Sequence, residues 1–114
     1  MLRIQTVVAV IAIVVTTPAL AAEPAYVGTW GSNRAQCKIA QDKPNAPMIV
    51  RAKGYDQHEA HCTFASVTPA GRAWKVQANC SVEGDKQSTA FQLRVLGNHL
   101  IMTRSKSLRT FIRC

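Results

Sequence analysis

Several side chains that can bind metals or transfer protons are clustered in the segment His58-Glu59-Ala60-His61-Cys62. Histidine is the commonest metal ligand in proteins, but the zinc-protease motif needs two residues between its glutamate and its second histidine. Here Ala60 alone separates Glu59 from His61. On a strand, His58 and His61 would also point to opposite faces. We therefore predict no metal site, and we expect these two histidines to be surface or strand-end residues.

No catalytic constellation is indicated elsewhere in the chain. The sequence contains three histidines and many serines, but no motif connects a nucleophile with a base and an orienting group. The paired acids of a glycosidase would have to come from acidic residues in or near predicted turns. Those acids are Asp56, Glu59, Glu83 and Asp85. We predict that the protein is not an enzyme and carries no cofactor.

Residues Met1–Ala21 have the features of a cleaved secretory signal peptide. Arg3 is followed by the apolar segment 7–15, and Ala19-Leu20-Ala21 is a small-residue cleavage site. An apolar segment of about nine residues is too short to span a bilayer, although an uncleaved membrane anchor is the alternative. We predict a single β domain over residues 22–114 that is periplasmic or secreted and not integral to a membrane.

Four cysteines in such a short exported domain predict two disulfides. They are Cys37, Cys62, Cys80 and Cys114. An even number of cysteines in a small exported protein is typical of a disulfide framework. No Cys-x-x-Cys motif occurs, so neither a thioredoxin-like redox site nor a zinc knuckle is indicated. Three pairings are possible for four cysteines.

The rest of the chain predicts an all-β fold. Short apolar or alternating runs are separated by Gly, Pro, Asn and Asp, and no apolar stripe of helical period is present. We expect an antiparallel meander of about seven strands that closes into a barrel or sandwich. A loop or short helical turn follows the first strand, through Gln36 and Cys37. The predicted strands cover residues 26–32, 48–53, 59–67, 74–82, 88–96, 99–104 and 108–114.

Strand register selects one disulfide pairing. Residues that face each other in an antiparallel hairpin have a constant sum of residue numbers. If the turn between the third and fourth strands centres on Gly71, Cys62 stands opposite Cys80. Neighbouring strands are close enough for such a bridge. We therefore predict the disulfides Cys62–Cys80 and Cys37–Cys114.

The same arithmetic divides the last three strands into two faces. It places turns at Gly97-Asn98 and at Lys106. A slip of one residue would exchange the two faces. The predicted core face carries Phe91, Leu93, Val95, Leu100, Met102, Leu108 and Ile112. The predicted outer face carries Arg94, His99, Ile101, Arg109, Phe111 and Arg113.

This outer face is the predicted binding site. After Asp85 the chain contains six Lys or Arg residues and no acid, and a patch of one sign concentrates anionic partners. Guanidinium groups bind phosphate and carboxylate. We predict that Arg94, Ile101, Arg109, Phe111 and Arg113 bind an anionic envelope component, such as lipopolysaccharide or peptidoglycan, or an acidic protein. The alternative is a merely solvated basic face. Export and the few aromatic residues argue against nucleic acid.

The segment Gly28-Thr29-Trp30 resembles the opening of lipocalin-like barrels. In those barrels the tryptophan closes the base and an arginine near the last strand packs on it, which implies that role for Arg113. A tryptophan that simply fills the core is the alternative. A lipocalin has eight long strands in roughly 150 residues, so we expect a smaller barrel with a filled interior.

The overall pattern resembles small exported proteobacterial proteins with an early Gly-x-Trp and four cysteines. The matching residues are Gly28, Trp30, the four cysteines and the terminal Arg113-Cys114. This resemblance implies no activity. In architecture alone the chain is similar to periplasmic inhibitors of lysozyme or of proteases, which are small disulfide-bonded β-barrels. Our alternative function is therefore hydrolase inhibition through an exposed turn. A basic lysozyme would need an acidic turn, at residues 56–59 or 83–85.

Overall fold

The computed structural model describes residues 2–16 and 23–114. Residues 2–16 are exposed and form no helix or strand. The predicted cleavage site at residues 19–21 lies outside the described residues. Within the described part of the chain, no helix has the length and apolar character needed to cross a membrane.

Eight antiparallel strands form a closed barrel in which each strand pairs with the next and the last returns to the first. A turn of 3-10 helix at Gln36–Lys38 follows the first strand, as predicted. The all-β prediction is confirmed, with one strand more than expected. The strands are β1 (Gly28–Gly31), β2 (Met48–Arg51), β3 (Gly54–Gln57), β4 (Ala60–Ala70), β5 (Ala73–Val82), β6 (Asp85–Leu96), β7 (His99–Arg104) and β8 (Ser107–Arg113).

The additional strand is β3, which lies in the gap between the predicted second strand, 48–53, and the predicted third strand, 59–67. In the structure Gly54 opens the strand, opposite Thr63 of β4. A Cβ on Gly54 would lie 2.5 Å from the carbonyl oxygen of Cys62. Because glycine has no side chain, Gly54 permits β3 and β4 to approach closely at this position.

Inward-facing side chains fill the barrel. Aromatic rings meet edge to face along its interior, with the Phe64 and Phe91 centroids 5.8 Å apart and those of Tyr55 and Phe91 6.2 Å apart. Such contacts add to the free energy of apolar burial. The largest fully buried side chains are Tyr26, Trp30, Met48, Val50, Val76, Leu93, Leu100 and Phe111.

Both predicted disulfides are confirmed. Cys62 pairs directly with Cys80, and the Cys37–Cys114 bridge joins residues 77 positions apart. The β4–β5 turn consists of two residues between Ala70 and Ala73, so it does not centre on Gly71 as predicted. A bulge between Phe64 and Ser66 compensates for that shift and restores the expected alignment of the cysteines. Two disulfides are consistent with an oxidising environment.

The predicted register of β7 with β8 is wrong by one residue, although that of β6 with β7 is confirmed. The turn has two residues, with Ser105 in the left-handed region at φ 51°, and Arg104 pairs with Ser107. Leu100 therefore faces Phe111. A slip of one residue exchanges the faces of a strand, so Phe111 is 1 % exposed in the core, whereas Leu108 is 64 % exposed.

Arg113 and Trp30 close the barrel between β8 and β1. The guanidinium carbon of Arg113 lies 4.2 Å from the Trp30 ring centroid, which confirms the packing implied by the lipocalin-like motif. The same guanidinium donates hydrogen bonds to the carbonyl oxygens of Val27 (3.2 Å) and Ala25 (2.9 Å). Gly28 has φ 154°, and a Cβ there would lie 2.6 Å from Nη1 of Arg113. We call this arrangement the base contact.

Replacing Arg113 with alanine should destabilise the fold. The variant loses a cation–π contact and two hydrogen bonds that hold the N-terminal segment, so we expect the free energy of unfolding to fall by about 2–3 kcal/mol. The matched control is Arg94→Ala, since Arg94 is exposed and such changes usually stay within about 0.5 kcal/mol. Urea unfolding of both variants makes the comparison, and equal losses would contradict a structural role for Arg113.

Candidate functional site

The structure distributes the predicted binding residues over different parts of the barrel. Arg94 and Ile101 pair on the outer surface of β6 and β7. Phe111 is buried in the core, and Arg113 belongs to the base contact. Arg109 shares the inward side of β8 with Phe111, because alternate residues of a strand share a face. The five residues therefore do not form one outer face.

A small cavity of about 160 Å³ lies beside the β7–β8 turn, and we call it the barrel mouth. It is lined by buried apolar side chains and by polar groups from four strands. Its lining residues are Met48, Tyr55, Gln57, Met102, Arg104, Ser107 and Arg109. The β7–β8 hairpin supplies two arginines, while β2 and β3 supply the opposing wall.

Each of these two arginines stacks on a buried phenylalanine. The guanidinium carbon of Arg104 lies 5.4 Å from the Phe91 ring centroid, and that of Arg109 lies 4.9 Å from the Phe111 centroid. In residues 2–16 and 23–114, neither arginine has a carboxylate within ion-pair distance. The mouth therefore contains two positive charges, one on the half-buried Arg104 and one on the exposed Arg109, without an ion-pair partner in the described part of the chain.

Arg104 is a candidate that the sequence analysis did not single out. It follows Leu100 and Met102 at intervals of two residues along β7, and both of those side chains are buried. The confirmed β6–β7 register already assigned Leu100 and Met102 to the core face. The same alternation, continued by one step, would have placed Arg104 on the inward side.

Such a mouth can bind an anion. A planar guanidinium presents several N–H donors that match the oxygens of carboxylate or phosphate. Comparison of the chain with family models, with curated proteins and with solved structures found no match.

The acidic residues gather at a different pair of turns. The backbone N–H of Glu83 donates to the carbonyl oxygen of Glu59 at 3.2 Å, so the β3–β4 and β5–β6 turns are adjacent. Asp85 opens β6 directly after the second turn. His58 and Glu83 both have left-handed backbone conformations, with φ of 52° and 50°. We call Glu59, Glu83 and Asp85 the acidic tip.

The histidine segment makes local contacts. Nδ1 of His61 lies 2.8 Å from Oδ1 of Asp56, while Nδ1 of His58 lies 3.1 Å from the carbonyl oxygen of Gln41. No three metal-ligating side chains come together within the described ranges. Arg51 also pairs with Asp56 on the outer surface. The hydrogen bond from Arg51, aided by the one from His61, lowers the pKa of Asp56 from its usual value of 3.8.

This lowered pKa predicts a loss of stability in acid. A carboxyl group whose pKa is lower in the folded state stabilises the fold above pH 3.8, and this contribution disappears as the pH falls through the folded pKa. We expect the free energy of unfolding to decrease below about pH 4, and Asp56→Asn should remove part of that decrease. Urea unfolding at several pH values measures it. The control is Asp42→Asn in an exposed loop, and an identical slope for both variants would contradict the prediction.

Proposed function

We propose that the protein is an exported, non-enzymatic binding module that holds an anionic group in the barrel mouth. The partner is an anionic envelope component, such as lipopolysaccharide or peptidoglycan, or an acidic protein. One observation carries this proposal. Arg104 and Arg109 line a cavity, stack on buried aromatic rings and have no carboxylate partner in the described residues.

Preorganisation supports this choice over the exposed outer face. A free arginine side chain loses rotamer entropy when it binds a ligand, but a guanidinium already held against a ring loses less. Arg94 on the outer surface has no such aromatic support among the described contacts. The excess of basic residues after Asp85 also attracts anions toward this part of the barrel.

The predicted signal peptide and the two disulfides support an extracytoplasmic partner. Anions available there include lipid A phosphates, peptidoglycan carboxylates and acidic proteins. The proposal therefore keeps the partner class expected from the sequence, while it moves the contact from the outer face to the mouth.

Retention on immobilised lipopolysaccharide and on peptidoglycan tests the proposal. We expect the disulfide-bonded protein to be retained at about 50 mM salt and released as salt increases, because ion contacts are screened. The double variant Arg104→Gln/Arg109→Gln should lose at least about tenfold in affinity, since both guanidinium contacts disappear. Arg72→Gln/Arg94→Gln removes the same number of charges from exposed positions outside the mouth and should change affinity less than about twofold.

Two outcomes would contradict this assignment. One is the absence of retention on either polymer and on an acidic protein column at low salt. The other is an equal loss in the mouth and outer-surface variants at matched net charge. The second result would indicate binding through overall charge.

Hydrolase inhibition is a second candidate, and the acidic tip favours it. The two acidic turns considered from the sequence lie side by side, joined by the hydrogen bond between Glu83 and Glu59. A basic enzyme such as a C-type lysozyme would approach this tip in spite of the positive net charge of the chain.

Inhibition assays separate this candidate from the first. If the protein inhibits a basic hydrolase, the double variant Glu59→Gln/Glu83→Gln should be at least about tenfold less potent as an inhibitor, because both charges that face the enzyme disappear. Glu23→Gln/Asp42→Asn, which removes the same number of charges at exposed positions outside the acidic tip, is the matched control. If the protein inhibits neither lysozymes nor secreted proteases, hydrolase inhibition is ruled out. The proposal of an anion site in the barrel mouth is not affected by that result.

A further inference from the structure

We infer that the barrel mouth takes a small carboxylic acid with an apolar tail, with the carboxylate between Arg104 and Arg109 and the tail on the buried floor. This inference rests on the proposed function, since it names the ligand class of the same site. The ligand is a free acid or the carboxyl end of a peptide with an apolar last residue. Both present the same chemistry to the mouth.

The volume of the mouth limits the ligand. The cavity holds about 160 Å³, below the roughly 300–1,000 Å³ typical of sites for drug-sized molecules. An engineered cavity of about 150 Å³ in another protein binds benzene. A six-carbon acid is therefore near the upper limit, and a whole lipid or a sugar chain could insert only one end.

The floor of the mouth is apolar. Met48 is 1 % exposed and Met102 is 5 % exposed, and both side chains line the cavity. Unbranched thioether side chains adapt to ligands of irregular shape. A short apolar tail placed on this floor would itself be removed from water, whereas a bare phosphate ion has no apolar surface to bury. Apolar burial therefore favours the acid with a tail.

Tyr55 adds a polar group to this floor. Its side chain lines the cavity and is 8 % exposed, and its ring packs against Phe64 and Phe91. The Tyr55 hydroxyl makes no hydrogen bond to any other residue in the described ranges, whereas Tyr26 donates one to Ala52. A phenol can donate to a carboxylate. Tyr55 is therefore a third candidate donor, from β3, to the bound anion.

The remaining polar side chains define the rim. Gln57 donates from Nε2 to the carbonyl oxygen of Ala46 at 3.1 Å, which ties the loop before β2 to the mouth. Ser107 begins β8 at the cavity edge. The described residues that line the mouth include no carboxylate, so the lining adds no negative charge. A single carboxylate matches one or two guanidinium forks in the same plane.

Calorimetric titration with a matched series tests the inference. The series consists of acetate, hexanoate, benzoate, inorganic phosphate and neutral hexanamide, with a short peptide ending in leucine and its C-terminal amide. We expect hexanoate or benzoate, or the free-acid peptide, to bind at least about tenfold more tightly than acetate and phosphate. Hexanamide and the amidated peptide should bind more weakly than their acids by a similar factor.

Variants locate the binding. Arg104→Gln and Arg109→Gln should each weaken hexanoate binding by about tenfold or more, and Tyr55→Phe by a few-fold. Arg94→Gln should leave it unchanged. Circular dichroism and the unfolding midpoint verify that each variant keeps the wild-type fold.

The outcomes distinguish this inference from the proposed function. Phosphate or acetate binding as tight as hexanoate, with dependence on Arg104 and Arg109, would overturn the apolar-tail inference and preserve the anion site. Hexanoate binding that is insensitive to both arginines would also overturn the inference. No binding of any acid, together with no retention on envelope polymers, would overturn both.

Discussion

The packing of Arg113 on Trp30 is the contact on which the rest of the barrel depends. β1 has four residues and pairs with β8 at two positions, so few backbone hydrogen bonds join the first strand to the last. Arg113 strengthens that closure because its guanidinium covers Trp30 and binds two carbonyl oxygens of the N-terminal segment. The absence of a side chain at Gly28 leaves room for it.

The base contact is also linked to the direction of the alternate side chains on β8. With Arg113 directed inward, strand alternation directs Phe111 and Arg109 inward as well. Cys114 then pairs with Cys37, and a Cβ on Gly31 would lie within 3.4 Å of both sulfur atoms. The base contact and the β7–β8 turn thus impose the same register on β8, and the core, the disulfide and the mouth depend on that register.

Strand order could be predicted because turn residues mark it locally, whereas the disulfide pairing was correct because the bulge in β4 cancels the error in the predicted turn centre. Gly97-Asn98 correctly set the register of β6 with β7. The one-residue shift of β8, which exchanges its two faces, could not be predicted from the turn residues. Ser105 adopts a left-handed conformation there, and residue type alone does not indicate it. β3 was not predicted because the predicted second strand stops before Gly54, a glycine that in the structure permits two strands to pack closely. The mouth depends on both features, which is why it was not recognised.

The two arginines of the mouth differ from Arg113 in the hydrogen-bond partners of their guanidinium groups. Arg113 likewise has no acidic partner among the described residues, but its N–H groups donate to backbone carbonyls and its guanidinium lies over an indole ring. Arg104 and Arg109 have aromatic contacts on their faces, and no hydrogen-bond acceptor for their N–H groups is found within the described ranges. Two neighbouring positive charges repel each other, so an anion between them removes that repulsion and supplies the missing acceptors. The aromatic contacts therefore keep the two guanidinium groups at the mouth, while their N–H groups stay available to a ligand.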